Sequence, residues 1–212
     1  MILIILQILL AYLIGSIPSA VWIGKALYHT DVREQGSGNA GATNVIRVLG
    51  YKAGIPVMLF DVFKGWFAVF LTTLFTHQGL TPDQVVNVQI GAAVAAALGH
   101  VFPVFAGFRG GKGVGTLAGV GIFLFPWALL IVLGIFIIIL SLTRYVSLAS
   151  VLGAVAFPLA VVFITREHHT GLIILSVFVS VFVLFTHRKN MIRLFKGTEN
   201  KFNFRGGKPE SE

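Results

Sequence analysis

Residues 114–142 run for 29 positions without an acidic, basic or histidine side chain, and they are the longest of several such runs. A segment this apolar is stable in lipid, where its backbone polar groups must be satisfied internally, and that means helix. As one helix, these 29 residues would reach about 43 Å, too long for a hydrocarbon core of about 30 Å unless tilted, while two full spans need about 40 residues. Pro126 lies inside the run and offers a break. Two short helical elements are therefore expected around it.

The rest of the chain agrees with a membrane setting. Of 212 residues, 56% are hydrophobic and only 11% are charged, and the mean hydropathy is +0.89. Such a chain has too little polar surface to cover a soluble globule. The formal charge of +8 would suggest nucleic acid in a soluble protein; here topology and anionic lipid explain it without a nucleic-acid partner. With no cysteine, there is no disulfide, thiol nucleophile or thiolate metal site. Many Gly and Ala residues suit close helix–helix contact.

Further spans are expected at about 1–24, 53–76, 85–103, 146–164 and 170–186. The first has no positive n-region and no small-residue cleavage pattern at Pro18, so it reads as a retained span that Pro18 kinks near its exit. With the pair around Pro126, the expected fold is all-α and polytopic. It has seven transmembrane helices in one domain over 1–212, the N-terminus outside and the C-terminus cytoplasmic. That arrangement puts fifteen of the sixteen Lys and Arg residues in cytoplasmic loops, the tail or helix ends near that face, leaving only Arg166 outside. A single helix over 114–142 would separate Arg144 and the basic tail, 187–212, from Arg109 and Lys112.

On the expected cytoplasmic face three polar blocks collect: Gly36–Arg47, His100–Val114 and Thr186–Glu199. The middle block contains GFRGGKGVG at 107–115, where glycines bring the backbone close to a ligand and Arg109 and Lys112 supply fixed cations. On this stretch alone, a phosphate site and a positively charged topology marker fit equally. The first block, GSGNAGATN followed by Val45, Ile46 and Arg47, puts Asn39, Thr43, Asn44 and Arg47 on one helical face, with Ser37 beside them. Ser and Asn are also ordinary cap and turn residues, but an Arg on such a face suits a bidentate phosphate contact. In the third block His187 and Asn190 share a face at i,i+3, followed by Arg193 and Glu199, while Arg188 and Lys189 read as a positive flank. Asp61 and Lys64, three apart within the second span, are a structural pair or a polar lining, and both readings stay open.

Two nucleotide motifs fail on context. Gly36, Gly38 and Gly41 spell GxGxxG, but follow a membrane helix rather than a strand. Around Lys112 the phosphate-loop pattern would need Gly at Ala106 and Ser or Thr at Gly113. No catalytic triad and no metal-ligand spacing stands out among His100, His187, Asp61 and Glu199. The blocks thus read as an array of phosphate-binding hydrogen-bond donors without a committed nucleophile. Such a site suits reactants that carry their own activation, with catalysis by orientation and charge stabilisation. A transporter of a phosphorylated solute, or an adaptor that binds anionic lipid, would also use such residues.

GSGNAGATNVIR at 36–47, GHVFPVFAGFRGGKGV at 99–114 and THRKNMIRLFKGTE at 186–199 resemble the motifs of the bacterial acyl-phosphate:glycerol-3-phosphate acyltransferases. The resemblance covers essentially the whole chain in length, hydropathy and motif order. It implies a small multi-pass enzyme of the bacterial inner membrane, its active site facing the cytoplasm. It implies transfer of an acyl group from acyl-phosphate to the sn-1 hydroxyl of glycerol-3-phosphate, without cofactor or metal. The donor would come from an enzyme that makes acyl-phosphate from acyl-carrier protein; a monomer suffices for this reading. The HxxxxD motif of other glycerophosphate acyltransferases is missing, since none of the six histidines has Asp five residues on.

Carried over, the resemblance assigns catalytic work to Ser37, Arg47, Lys112, His187 and Asn190. It assigns phosphate and substrate binding to Gly36, Gly38, Asn39, Asn44, Arg109, Gly110, Gly111, Gly113 and Arg193. It does not divide the cations between the two phosphates. A donor phosphate oxygen would take the proton of the glycerol hydroxyl.

Overall fold

A helix breaks where its sequence cannot continue the hydrogen-bond ladder, and this chain places its breaks beside the polar blocks. The structure, a computed structural model, describes residues 1–75 and 79–204; part of the expected loop at 77–84 and the end of the basic tail, 205–212, lie outside the described residues. Ten α-helices are described: α1 (Ile2–Gly15), α2 (Ser19–Tyr28), α3 (Ala42–Leu49), α4 (Tyr51–Thr73), α5 (Pro82–Val101), α6 (Val114–Leu124), α7 (Pro126–Thr143), α8 (Val146–Leu159), α9 (Thr170–Thr186) and α10 (Arg188–Phe195). No strand occurs among the described residues. Pro18 separates α1 from α2 as it would kink a span, and Pro126 opens α7 after the break at Phe125. The start of α5 is fixed by a capping box, with Thr81 and Gln84 side chains each bonding the other's backbone N–H, and Pro82 at the first helical position.

The expected count of seven membrane helices is corrected. Among the described residues, five segments are long and apolar enough to cross: Ile2–Tyr28, Tyr51–Thr73, Pro82–Ala106, Pro126–Thr143 and Val146–Ile164. A sixth results if α9 and α10, bent by 59° at His187, count as one broken span. The run 114–142 does break at Pro126, but unequally. Helix α7 has 18 residues, whereas α6 has 11 and rises about 16 Å, roughly half a hydrocarbon core. Periodicity located the break, but an apolar stretch packed inside the protein looks the same in sequence as one exposed to lipid. The assignment of sides that was counted from seven crossings falls with that number.

Helix pairs close on glycine. α4 packs most extensively on α6 and α1 on α5, with α7 on α8, α8 on α9 and α3 on α4 completing the bundle. At Gly65 a Cβ would strike the Thr116 backbone, at Gly119 the Val62 carbonyl, and at Gly99 the Tyr12 carbonyl. In lipid, where no hydrophobic drive brings helices together, such backbone approach supplies the association energy through van der Waals contact. The α4–α6 contact matters for the site, because α6 begins two residues after Lys112.

Candidate active site

The middle polar block is a loop that returns onto the end of α5. Gly110 N–H donates to the Val101 carbonyl and Gly111 N–H to the His100 carbonyl, each at 3.2 Å. Glycine is required at both positions, since a Cβ on Gly110 would meet the His100 carbonyl and one on Gly111 the His100 ring. Between these anchors, Arg33 donates to the Ala106 carbonyl (2.9 Å) and Tyr12 to the Phe102 carbonyl (2.8 Å). Arg33 is itself fixed by Asp31, whose carboxyl is held well below the usual range by the Arg33 hydrogen bonds. The loop is thus tied on both sides, and its chain leaves through Gly113 (φ +84°) into α6.

The first block owes its shape to Asn44. Its side-chain oxygen accepts from the Ser37 N–H (2.8 Å) and hydroxyl (3.1 Å), and its amide donates to the Val32 and Gln35 carbonyls. Asn44 is fully buried. It therefore holds the 32–37 turn in place and does not line the cavity described below. Gly36 has a left-handed φ of +61°, and a Cβ there would collide with the Asn44 side chain.

In the third block, α9 ends in His187, whose Nδ1–H donates to the Val183 carbonyl one turn back (2.9 Å). The chain then bends into α10 and presents Asn190 and Arg193. Asn190 accepts from the Lys112 ammonium (2.6 Å) and donates to Glu199 Oε1 (2.6 Å). The Ser147 hydroxyl donates to the same oxygen (2.8 Å), and Arg193 Nε to Glu199 Oε2 (2.7 Å). Burial pushes the Glu199 carboxyl up, but the hydrogen bonds from Asn190, Arg193 and Ser147 outweigh it and hold it below its ordinary range. Burial draws the Lys112 ammonium down to about 8; Glu199 opposes this, while Arg193 and Arg47 add to it. Arg47 is half-buried and has no hydrogen-bond or ion-pair partner among the described residues.

These three blocks enclose a cavity of about 600 Å³. From the first come Ser37, Gly38 and Asn39, from the second Arg109, Gly110, Gly111 and Lys112, and from the third Asn190 and Arg193. Arg188 and Lys189, expected only as a flank, also line it, with Phe102 and Phe108 among the apolar neighbours. Gly36, Asn44, Arg47, Gly113 and His187 do not line it. Residue spacing alone assigns no role to Ser147 or Glu199. Glu199 was legible as a lone carboxylate among cations, whereas Ser147 reaches it only because the chain after α10 folds back over α8. A second, apolar cavity of about 100 Å³ lies among α6, α7, α8 and α9. Its walls include Val114 and Val183, which follow Lys112 and precede Thr186 of the polar cavity by two and three residues. Among the described residues no group of three or more His, Asp or Glu side chains is placed to hold a metal ion.

Chemically, the arrangement offers an excess of cations around a polar cavity next to a lipid-like groove. A phosphorylated headgroup on an acyl tail matches that division. Comparison with known proteins points the same way. The family model for glycerol-3-phosphate acyltransferase matches residues 5–197. A glycerol-3-phosphate acyltransferase of Fusobacterium nucleatum is 45% identical, covering 93% of this chain and 97% of that protein. The enzyme of the same description from Chlorobaculum tepidum is 43% identical, covering 93% and 95%. Crystal structures of PlsY (YgiH), an integral membrane glycerol 3-phosphate acyltransferase, superpose with TM-scores of 0.83 for the glycerol 3-phosphate form and 0.81 for the lysophosphatidic acid form. Each is 32% identical and covers 94% of this chain, and the match covers 96% and 95% of those chains. With its multi-pass helical architecture, its converging cationic blocks and these relatives, the chain belongs to the bacterial glycerol-3-phosphate acyltransferase family.

Proposed function

We propose that the polar cavity transfers an acyl group from acyl-phosphate to the sn-1 hydroxyl of glycerol-3-phosphate, giving 1-acylglycerol-3-phosphate (lysophosphatidic acid) and inorganic phosphate. The glycerol oxygen attacks the acyl carbonyl carbon, and the bond from that carbon to the phosphate oxygen breaks. The departing phosphate takes the hydroxyl proton, so atoms and charge balance without a protein base. The observation that carries this reading is the Lys112–Asn190–Glu199 chain beside Arg193, with Lys112, Asn190 and Arg193 lining a cationic cavity. Fixed positive charge at the leaving phosphate lowers the barrier most when it needs no reorganisation, and three blocks tied by hydrogen bonds meet that condition.

Within this reading Lys112 and Arg193 take the phosphates, and Arg47, outside the cavity wall, adds its positive charge near Lys112. Ser37 stands at the reacting centre, and the groove along α6 takes the acyl tail. Gly110 and Gly111 serve by letting the loop close on α5, since their N–H groups are spent on Val101 and His100. Asn44 serves through Ser37, which it orients. The excess of cations at the cavity mouth, Arg109, Arg188 and Lys189, favours a cytoplasmic opening by the positive-inside rule. There glycerol-3-phosphate arrives from water and the acyl donor from the bilayer. Purified protein in lipid nanodiscs, given acyl-phosphate and labelled glycerol-3-phosphate, should form labelled lysophosphatidic acid, and acyl-CoA in place of acyl-phosphate should form none. Equal product from acyl-CoA, or flux of glycerol-3-phosphate into liposomes with no phosphate release, would overturn the reading.

A further inference from the structure

Asp61 lies inside α4 with 3% of its surface exposed, where an unbalanced carboxylate would be prohibitively costly. It is balanced: Oδ1 is 2.8 Å from the Lys64 ammonium and accepts the Ser19 hydroxyl at 2.8 Å, and Lys64 also donates to the Ile17 carbonyl (2.9 Å). A third neighbour faces the same oxygen from α5. His100 Nδ1 is 3.6 Å from Asp61 Oδ1 and 3.1 Å from the Thr116 hydroxyl of α6. The ring is buried and has one polar edge held between a carboxylate and a hydroxyl. Its opposite edge, Nε2 and Cδ2, is what a Cβ on Gly111 would strike. The His100 carbonyl meanwhile accepts the Gly111 N–H. Ring and backbone of one residue therefore seat the same glycine, which immediately precedes Lys112.

We propose that His100, held by Thr116 and facing Asp61, is a positioning residue that sets the Gly110–Lys112 backbone and so aims the Lys112 ammonium at the substrate phosphate. The proposal rests on the acyl-transfer reading for what the loop grips. Asp61 and Lys64 then have a reason to sit in a membrane helix: a carboxylate orients the imidazole, and the lysine neutralises the carboxylate. Tying a group through a second residue is how precise sites hold their donors, and misplacement by about 1 Å costs about 100-fold in rate.

The test is a double-mutant cycle in nanodiscs on His100→Ala and Thr116→Val, reading KM for glycerol-3-phosphate and kcat separately. A second readout is the labelling rate of the Lys112 amine relative to Lys25, with and without inorganic phosphate. His100→Ala should lower kcat/KM by about 100-fold with a raised KM, and should abolish phosphate protection of Lys112 while leaving Lys25 labelling unchanged. Thr116→Val should act in the same direction more weakly. The double variant should match His100→Ala within about twofold, because both act through one ring. Should His100→Ala fail to fold, Thr116→Val, which keeps the side-chain volume, carries both readouts. Additive losses, an unchanged KM, or retained phosphate protection of Lys112 would overturn the proposal. If wild-type protein gives no acyl transfer, the functional reading fails on its own, and the labelling arm still decides the role of His100.

Discussion

Lys112 is half-buried, with Arg47 and Arg193 near enough to act on its charge, and its ammonium is drawn down to about 8. The consequence for catalysis has a definite sign. A cation that grips phosphate works only when protonated, so the free enzyme keeps it below pH 8 and loses it above. At pH 9 about a tenth of Lys112 would remain protonated, so kcat/KM, which reports the free enzyme, should fall about tenfold between pH 7 and pH 9. An ordinary lysine near pKa 10.4 would lose less than about 5% of its charge over that range. The substrate does not confuse the measurement, since a phosphate monoester with its second pKa near 6 is already about nine-tenths dianion at pH 7. Replacing Lys112 by Arg keeps the charge at all working pH values. The assay is phosphate release against pH, at limiting glycerol-3-phosphate, for wild type and Lys112→Arg. The alkaline limb should be present in wild type and absent in the variant, whatever the variant's absolute rate. A limb that persists in Lys112→Arg, or a flat wild-type profile to pH 10, would refute the assignment.

Other expectations follow from single contacts. Asn190→Leu removes the acceptor for Lys112 and a donor to Glu199, and kcat should drop by about 10²–10³, measured with both substrates saturating. Gly36→Ala forces a side chain into a left-handed backbone and against Asn44; thermal unfolding in detergent should show a loss of about 1–3 kcal/mol, with reduced activity because Ser37 shifts. Lys64→Met leaves Asp61 buried without its ammonium partner, and should destabilise by about 3–5 kcal/mol, seen as a lower yield of folded protein.

Composition and periodicity carried the architecture further than they carried the site. The break at Pro126 and the kink at Pro18 are readable because each depends on local chemistry, whereas the convergence of the three polar blocks rests on the packing of the helices that carry them. The number of crossings is not readable, because α6 is as apolar as a span yet only 11 residues long. At the candidate site, Lys112, Asn190 and Ser37 line one polar cavity. Asn44 has the same residue type as Asn190 but the opposite fate: its oxygen and its amide are consumed by the 32–37 turn. Sequence spacing tells which side chains share a face, not which hydrogen-bonding groups are already spent. Glu199 and Ser147 illustrate the converse, since their contact depends on the path the tail takes after α10. Asp61 and Lys64 were visible as a pair, but the partner that gives the pair a role, His100, comes from a different helix.

In the proposed reaction the acyl group passes directly from donor to acceptor while the phosphate leaves with the proton. Rapid mixing of stoichiometric enzyme with acyl-phosphate, followed by addition of glycerol-3-phosphate, tests it most directly when phosphate is measured throughout. No phosphate should appear before glycerol-3-phosphate is added, and afterwards one phosphate should be released for each lysophosphatidic acid formed. A burst of one phosphate per enzyme in the absence of glycerol-3-phosphate would mean an acyl-enzyme intermediate and contradict the account.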